Sequence, residues 1–252
     1  MLTSAREQYR EQQLINALGV KEARRVASRG PAAVAAALAA YQAESASLTF
    51  ASTAAILAEQ GITAPPASTA LLTPILTGSE AIRLLQKVAS AQAFDTLVMA
   101  LIQDAGRTAA TVDLIRRPGV THYVRSLNLS SCSRCAVLAG RVYRFSTGFQ
   151  RHPRCDCLMT PTTATSGRDL VLDPTDAIGS GKITGLSRGD VEALDNGADL
   201  GRVVNVRSRS AGLRVGSSVY TRGDRLTPQA IAETATSRTQ AISMLRANGY
   251  IT

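Results

Sequence analysis

Apolar and small residues recur every three to four positions through most of the first 118 residues, the period of helices that bury one face. Ser4 with Glu7 makes a capping-box opening for a first helix running to about Ala17. Gly19 then separates it from a second, short helix ending near Ser28. Gly30-Pro31 restarts the chain, with Pro31 suited to a first helical turn. Eight of the thirteen residues from Pro31 to Ala43 are alanine, and a third helix is expected to about Gln60, broken where Ser45, Ser47 and Thr49 cluster. Gly61 stops it, and Ala64-Pro65-Pro66 reads as a linker. Ser79 opens a long helix in which Ile82, Leu85, Ala89, Ala93, Leu97 and Ala100 share a face. It kinks near Gly106 and ends at Pro118-Gly119. Such alanine-rich helices suit a bundle; a helical arm that docks on a partner fits the same pattern.

The period changes in the second half. Residues 1–118 hold five glycines and residues 119–252 the other fourteen, so turns and short elements take over. Arg141 to Phe145 alternates like a strand and turns at Ser146-Thr147-Gly148. Ser187 caps a short helix through Ala193 that stops at Asn196-Gly197, and Gly201 to Val206 is strand-like. A last helix opens at Thr227-Pro228, carries Ile231, Ala235, Ile242 and Leu245 on one face, and ends at Asn248-Gly249. Tyr250-Ile251 is placed to fold back on it as a hydrophobic C-cap.

Composition narrows the function classes. The 252 residues suffice for a core without disulfide staples, and 45% hydrophobic content excludes wholesale disorder. With four Phe, six Tyr and no Trp, a base-stacking platform for single strands is not expected. No apolar run approaches the roughly 18 residues of a membrane span, and the N-terminus has no apolar signal core. The reading is therefore no membrane and synthesis in the cytoplasm. The net charge of +9 favours an acidic partner. Residues 1–128 carry 12 basic against 9 acidic residues, and 129–252 carry 16 against 10. Arg202, Arg207, Arg209, Arg214, Arg222 and Arg225 face a single acid, Asp224, in a Gly- and Ser-rich stretch expected to be a flexible basic loop. Contact with DNA phosphates or an acidic protein surface is one reading; a solvated loop is the other.

The chemistry concentrates between Cys132 and Cys157. All four cysteines and one of the two histidines fall in these 26 positions, spaced C-x2-C-x16-H-x2-C-x-C. A CxxC turn can present two sulfurs about 2.3 Å from a zinc ion, and a separate segment completes the tetrahedron. The candidate ligands are Cys132, Cys135, His152, Cys155 and Cys157, four of the five. The preferred set is Cys132, Cys135, His152 and one of Cys155 or Cys157, with an all-cysteine site close behind. Cys155 and Cys157 face the same way if they lie on a regular strand. Buried cysteines packed as small hydrophobes, or a redox pair, are the competing readings. With no HExxH or HxE signature, the site reads as closed, structural Zn2+. Arg134, Arg151 and Arg154 flank the ligands, where they can neutralise thiolate charge. His122 is expected to cap or pack rather than catalyse, and no catalytic residue is assigned.

Cys132, Cys135, Leu138, Gly140, His152, Pro153, Cys155, Cys157 and Pro161 resemble the core motif of the MuF-like minor capsid (head morphogenesis) proteins of tailed bacteriophages. The segments Gly185 to Asp190, Asp195 to Asn205 and Leu245 to Ile251 are similar to minor capsid proteins of actinobacterial phages and prophages. The resemblance covers the second half of the chain in detail and the helical front half in general character. It implies a virion component of the phage head, present in host cytoplasm during assembly. The implied partners are the portal and/or major capsid protein, with packaged DNA and self-association into a homo-oligomer as further partners. Some relatives are fused to a maturation protease; that activity is not carried over to this sequence, in which no protease-like segment is read.

The expected fold class is α+β: an α-helical bundle or arm over 1–120, a zinc-binding module over 121–165, and a basic, loop-rich tail with a terminal helix over 166–252. The expected function is structural, in head assembly and portal-proximal docking. Two other classes fit less well. A zinc-dependent DNA-binding protein lacks a recognition-helix spacing, and an enzyme or toxin-like module lacks an acid/base cluster.

Overall fold

A computed structural model describes residues 1–63, 78–128, 130–149, 155, 157–206, 213–215, 219–222 and 225–252. The fold is α+β and mostly helical. Contacts divide the chain into two units, each built from two stretches: 1–128 with 141–171, and 129–140 with 172–252.

The first unit contains α1 (Thr3–Val26), α2 (Pro31–Glu59), α3 (Gly78–Leu85) and α4 (Ala91–Arg116). Two expected breaks are absent and one unexpected break is present. Helix α1 runs straight through Gly19, because the glycine serves packing rather than termination. A Cβ there would come within 2.4 Å of Ile102 Cδ1 and 3.1 Å of Tyr41 Cγ, so only glycine lets α1 approach α2 and α4 this closely. Helix α2 is unbroken at its Ser/Thr cluster. Ser45 and Thr49 are buried, and the Thr49 and Thr53 hydroxyls return to carbonyls four residues back at 3.0 and 2.8 Å. The long helix from Ser79 is two helices, divided over residues 86–90 where Ser90 caps α4 by accepting from Ala93 N. Gly106 lies within α4, against Ser45 and Thr49.

The opening of α1 differs as well. Its N-cap position is Leu2, which makes no side-chain cap, and the Ser4–Glu7 box does not form. Glu59, at the end of α2, supplies the acceptors instead: its carboxylate takes Thr3 N at 2.8 Å, Ser4 N at 2.9 Å and Ser4 Oγ at 2.6 Å. An ionised carboxylate satisfies orphan amides and matches the positive end of the helix dipole. Ile15, Val34, Leu38, Val98, Leu101 and Ile102 form the apolar core beneath these helices. Beside it runs a polar seam, in which Ser45 Oγ donates to Gln12 Oε1 at 2.8 Å and Gln42 to the Leu101 carbonyl at 3.1 Å.

Strands β1 (His122–Ser126), β2 (Val142–Arg144) and β3 (Leu158–Thr162) form an antiparallel sheet in the order β2-β1-β3. Tyr123 lies opposite Tyr143 on one side and Pro161 on the other. Pro161, without a backbone donor, is tolerated because β3 is an edge strand. Leu57, Ala110, Leu114, Val120, Tyr123 and Met159 pack the sheet onto α2 and α4. Gln60 ties α2 to β3, donating to the Pro161 carbonyl at 2.8 Å and accepting from Thr162 Oγ1 at 2.6 Å.

The second unit holds α5 (Ser133–Ala139), α6 (Pro174–Gly179), α7 (Arg188–Asp195), α8 (Leu200–Val206), the antiparallel sheet β4 (Leu213–Val215), β5 (Val219–Arg222) and β6 (Arg225–Leu226), and α9 (Pro228–Thr234) with α10 (Arg238–Ala247). Ser187 and Asp190 form a full capping box on α7. Residues 201–206, expected as a strand, are helical: Asp199 Oδ1 accepts from Arg202 N at 2.9 Å, and Val203 is buried among Ala193, Ile231, Leu245 and Tyr250. Packing overrides the β preference of the valines. The expected loop carries three strands, and the expected last helix is two, because Ser237 starts α10 by capping Gln240 N at 3.2 Å. Tyr250 does fold back: its amide donates to Leu245 O, its hydroxyl donates to Leu226 O at 2.8 Å, and the ring is buried.

Candidate metal centre

Strand β1 went unseen in the sequence, although Tyr123 and Val124 just after Pro118-Gly119 carry the aromatic and β-branched signal of a strand. It brings Arg125 into the interior, 3% exposed. Arg125 Nη1 donates to Cys155 Sγ at 3.5 Å, and its guanidinium lies 4.0 Å from the centroid of the Phe149 ring. Arg107, from the middle of α4, lies 5.4 Å from the same ring. It pairs with Asp104 at 3.1 Å and donates through Nη2 to the carbonyls of Cys155 at 2.6 Å and Cys157 at 3.3 Å. Arg107 therefore ties down the backbone that carries Cys155 and Cys157 just before β3, while Arg125 meets the Cys155 sulfur.

Around them Tyr123 stacks on Tyr143 at 5.2 Å and meets Phe149 at 5.7 Å. Burial pushes both phenols above their ordinary pKa. At Tyr123 a bond to Thr147 and the charge of Arg125 work against that rise; at Tyr143 the charges of Arg141 and Arg125 do. Tyr123 thus stays a hydroxyl donor, bonding the Gly148 carbonyl at 2.6 Å.

In the second unit, the CxxC opens α5. Cys132 is its N-cap residue and its Sγ accepts from Cys135 N at 3.5 Å. The Ser131–Ser133 backbone exchanges bonds with Thr184 at 2.8 and 3.0 Å, which braces this turn.

None of the four cysteines is in a disulfide. Cys135 in the second unit and Cys155 and Cys157 in the first are all buried, thiols that could hold a metal ion. Buried thiols in this number are the donor set that soft-ligand metal sites use. Cys132 is partly exposed. His152 lies outside the described residues. Cys155 and Cys157 are not on a regular strand, since β3 begins at Leu158.

The described members of the arginine set lie on several elements, and the guanidiniums of Arg202 and Arg225 both stand beside Gly249. Arg202 is on α8 and donates to the Gly249 carbonyl at 2.6 Å. Arg214 stands opposite Tyr220 in the β4–β5 pairing and Arg222 opposite Arg225 in β5–β6. Arg207 and Arg209 lie outside the described residues. His122 opens β1, within 2.8 Å of the Thr121 hydroxyl. Among the described residues no helix is long and apolar enough to cross a membrane.

Comparison of the chain with protein-family models, with curated proteins and with solved structures finds no match.

Proposed function

We propose that this chain is a structural minor capsid protein of a tailed bacteriophage, acting in head assembly and docking near the portal, with a zinc ion stapling its cysteine-rich module. The observation that carries the reading is a coincidence of motif and burial. The C-x2-C and His-Pro-x-Cys-x-Cys segments that resemble the MuF-like proteins supply three buried thiols, Cys135, Cys155 and Cys157. Cys135, Cys155 and Cys157 would hold the ion, with the fourth position taken by Cys132 or His152. Zinc bound there supplies a cross-link between segments distant in sequence, the role of a closed structural site in a module with short elements. The chain's partners in this reading are the portal or major capsid protein, with packaged DNA as a further contact, and its place is the phage head.

Two measurements test the reading. The full chain, purified under reducing conditions without chelator, should carry one zinc, and Cys155→Ser or Cys157→Ser should lose it. No zinc in the parent chain rejects the metal. Mass spectrometry of phage particles purified from a producing host should find this chain at low copy beside the major capsid protein. Its absence from both particles and assembly intermediates rejects the capsid role.

A further inference from the structure

The strongest feature left unused by that reading is the buried cation at the cysteines. Arg125 is 3% exposed, its Nη1 is 3.5 Å from Cys155 Sγ, and its Cζ lies over the Phe149 ring, 4.0 Å from the centroid. A guanidinium in the interior is costly unless its charge is compensated where it sits. Three thiolates around a divalent cation leave a net charge of −1, and four leave −2, in the same low-dielectric surroundings. The two costs cancel if the charges are neighbours.

We infer that Arg125 is the built-in counter-charge of the cysteine site, a positioning residue that favours the metal-loaded, thiolate form over the empty one. This rests on the metal reading above. The guanidinium lies over the Phe149 ring and directs one Nη–H at the sulfur, so charge and hydrogen bond act on the same atom. Arginine suits this place because it stays charged and gives up its hydration more readily than lysine. Outer partners of metal ligands commonly change affinity by about 10- to 100-fold.

The test is anaerobic titration of the full chain with Co2+, read by the thiolate-to-cobalt absorption band, followed by displacement with Zn2+ to obtain affinity. Arg125→Met should weaken zinc binding by about 10- to 100-fold. Arg125→Lys, which restores charge without the planar fork, should recover most of it. Equal affinity of Arg125→Met and the parent overturns the counter-charge, as does an Arg125→Lys protein as weak as Arg125→Met. If Arg125→Met does not fold, Arg125→Lys decides: loss of cobalt binding as complete as in Cys155→Ser overturns the proposal. Failure of the parent chain itself to take up Co2+ or Zn2+ rejects the metal reading instead, so the two failures are distinct.

Discussion

Arg107 donates to the carbonyl of Cys155 at 2.6 Å, binding the middle of a long helix to the segment that carries two of the buried thiols. The same guanidinium reaches the Cys157 carbonyl and Asp104. Its removal would leave two carbonyls and a carboxylate without their donor. Arg107→Met should lower unfolding stability by about 2 kcal/mol, the range for charged hydrogen bonds whose partners are left in the interior. Urea denaturation measures this, and a change under about 0.5 kcal/mol would mean the clamp is ornamental.

The acid dependence of the bundle should report Glu59. The Ser4 hydroxyl first, then the Ser4 and Thr3 amides, hold its carboxyl down from 4.5 to about 2. A carboxyl lowered on folding contributes stability that is complete above its unfolded value and is lost as pH falls through the folded one. Glu59→Gln should therefore be less stable at pH 7 by about 0.5–1 kcal/mol, the range for a solvent-screened carboxylate at a helix N-terminus. The gap between the two proteins should close between pH 4.5 and about 2. A gap independent of pH would contradict the capping role.

Gly19→Ala sets helix propensity against packing. Alanine gains about 1 kcal/mol over glycine in an open helix, but here its Cβ meets Ile102, which is fully buried and has little room to yield. Overpacking of this kind costs about 1–3 kcal/mol, so net destabilisation is expected. Ile102→Val removes the offending Cδ1, and the double variant should recover at least about 0.5 kcal/mol relative to additivity. A Gly19→Ala protein that melts higher than the parent would show that the helices are not in contact at this point.

Tyr250→Phe isolates one hydrogen bond at the end of the second unit. It removes the donor to Leu226 O, 2.8 Å away, while keeping the ring among Val203, Ile231 and Leu245. The expected loss is about 1 kcal/mol, and Tyr250→Ala should cost about 3–5 kcal/mol because the ring itself is buried. Equal losses in the two variants would show that the ring contributes nothing to that core.

Helix α2 and the caps of α7 and α9 were legible because their signals are local. Pro31 starts one, and Ser187 and Thr227 accept from amides three residues on. The cysteine group was legible for a different reason: its spacing is a chemical constraint that survives ignorance of the fold. The partners of those cysteines were not. Arg107 is 48 residues from Cys155 and Arg125 is 30 away, and nothing in either neighbourhood marks an arginine as internal rather than solvated.

What the sequence by itself determined is the α+β class, the helical front half and the candidate cysteines, since each depends on period, capping or spacing within a short window. Tertiary structure alone decided that Gly19 packs instead of stopping a helix, that Glu59 caps a helix begun 56 residues earlier, and that residues 201–206 coil rather than extend. It also decided that a buried arginine stands at the cysteines. In each case the deciding contact lies far away along the chain. Local preferences worth a fraction of a kcal/mol to about 1 kcal/mol per residue yield to the burial and charge compensation that such contacts bring.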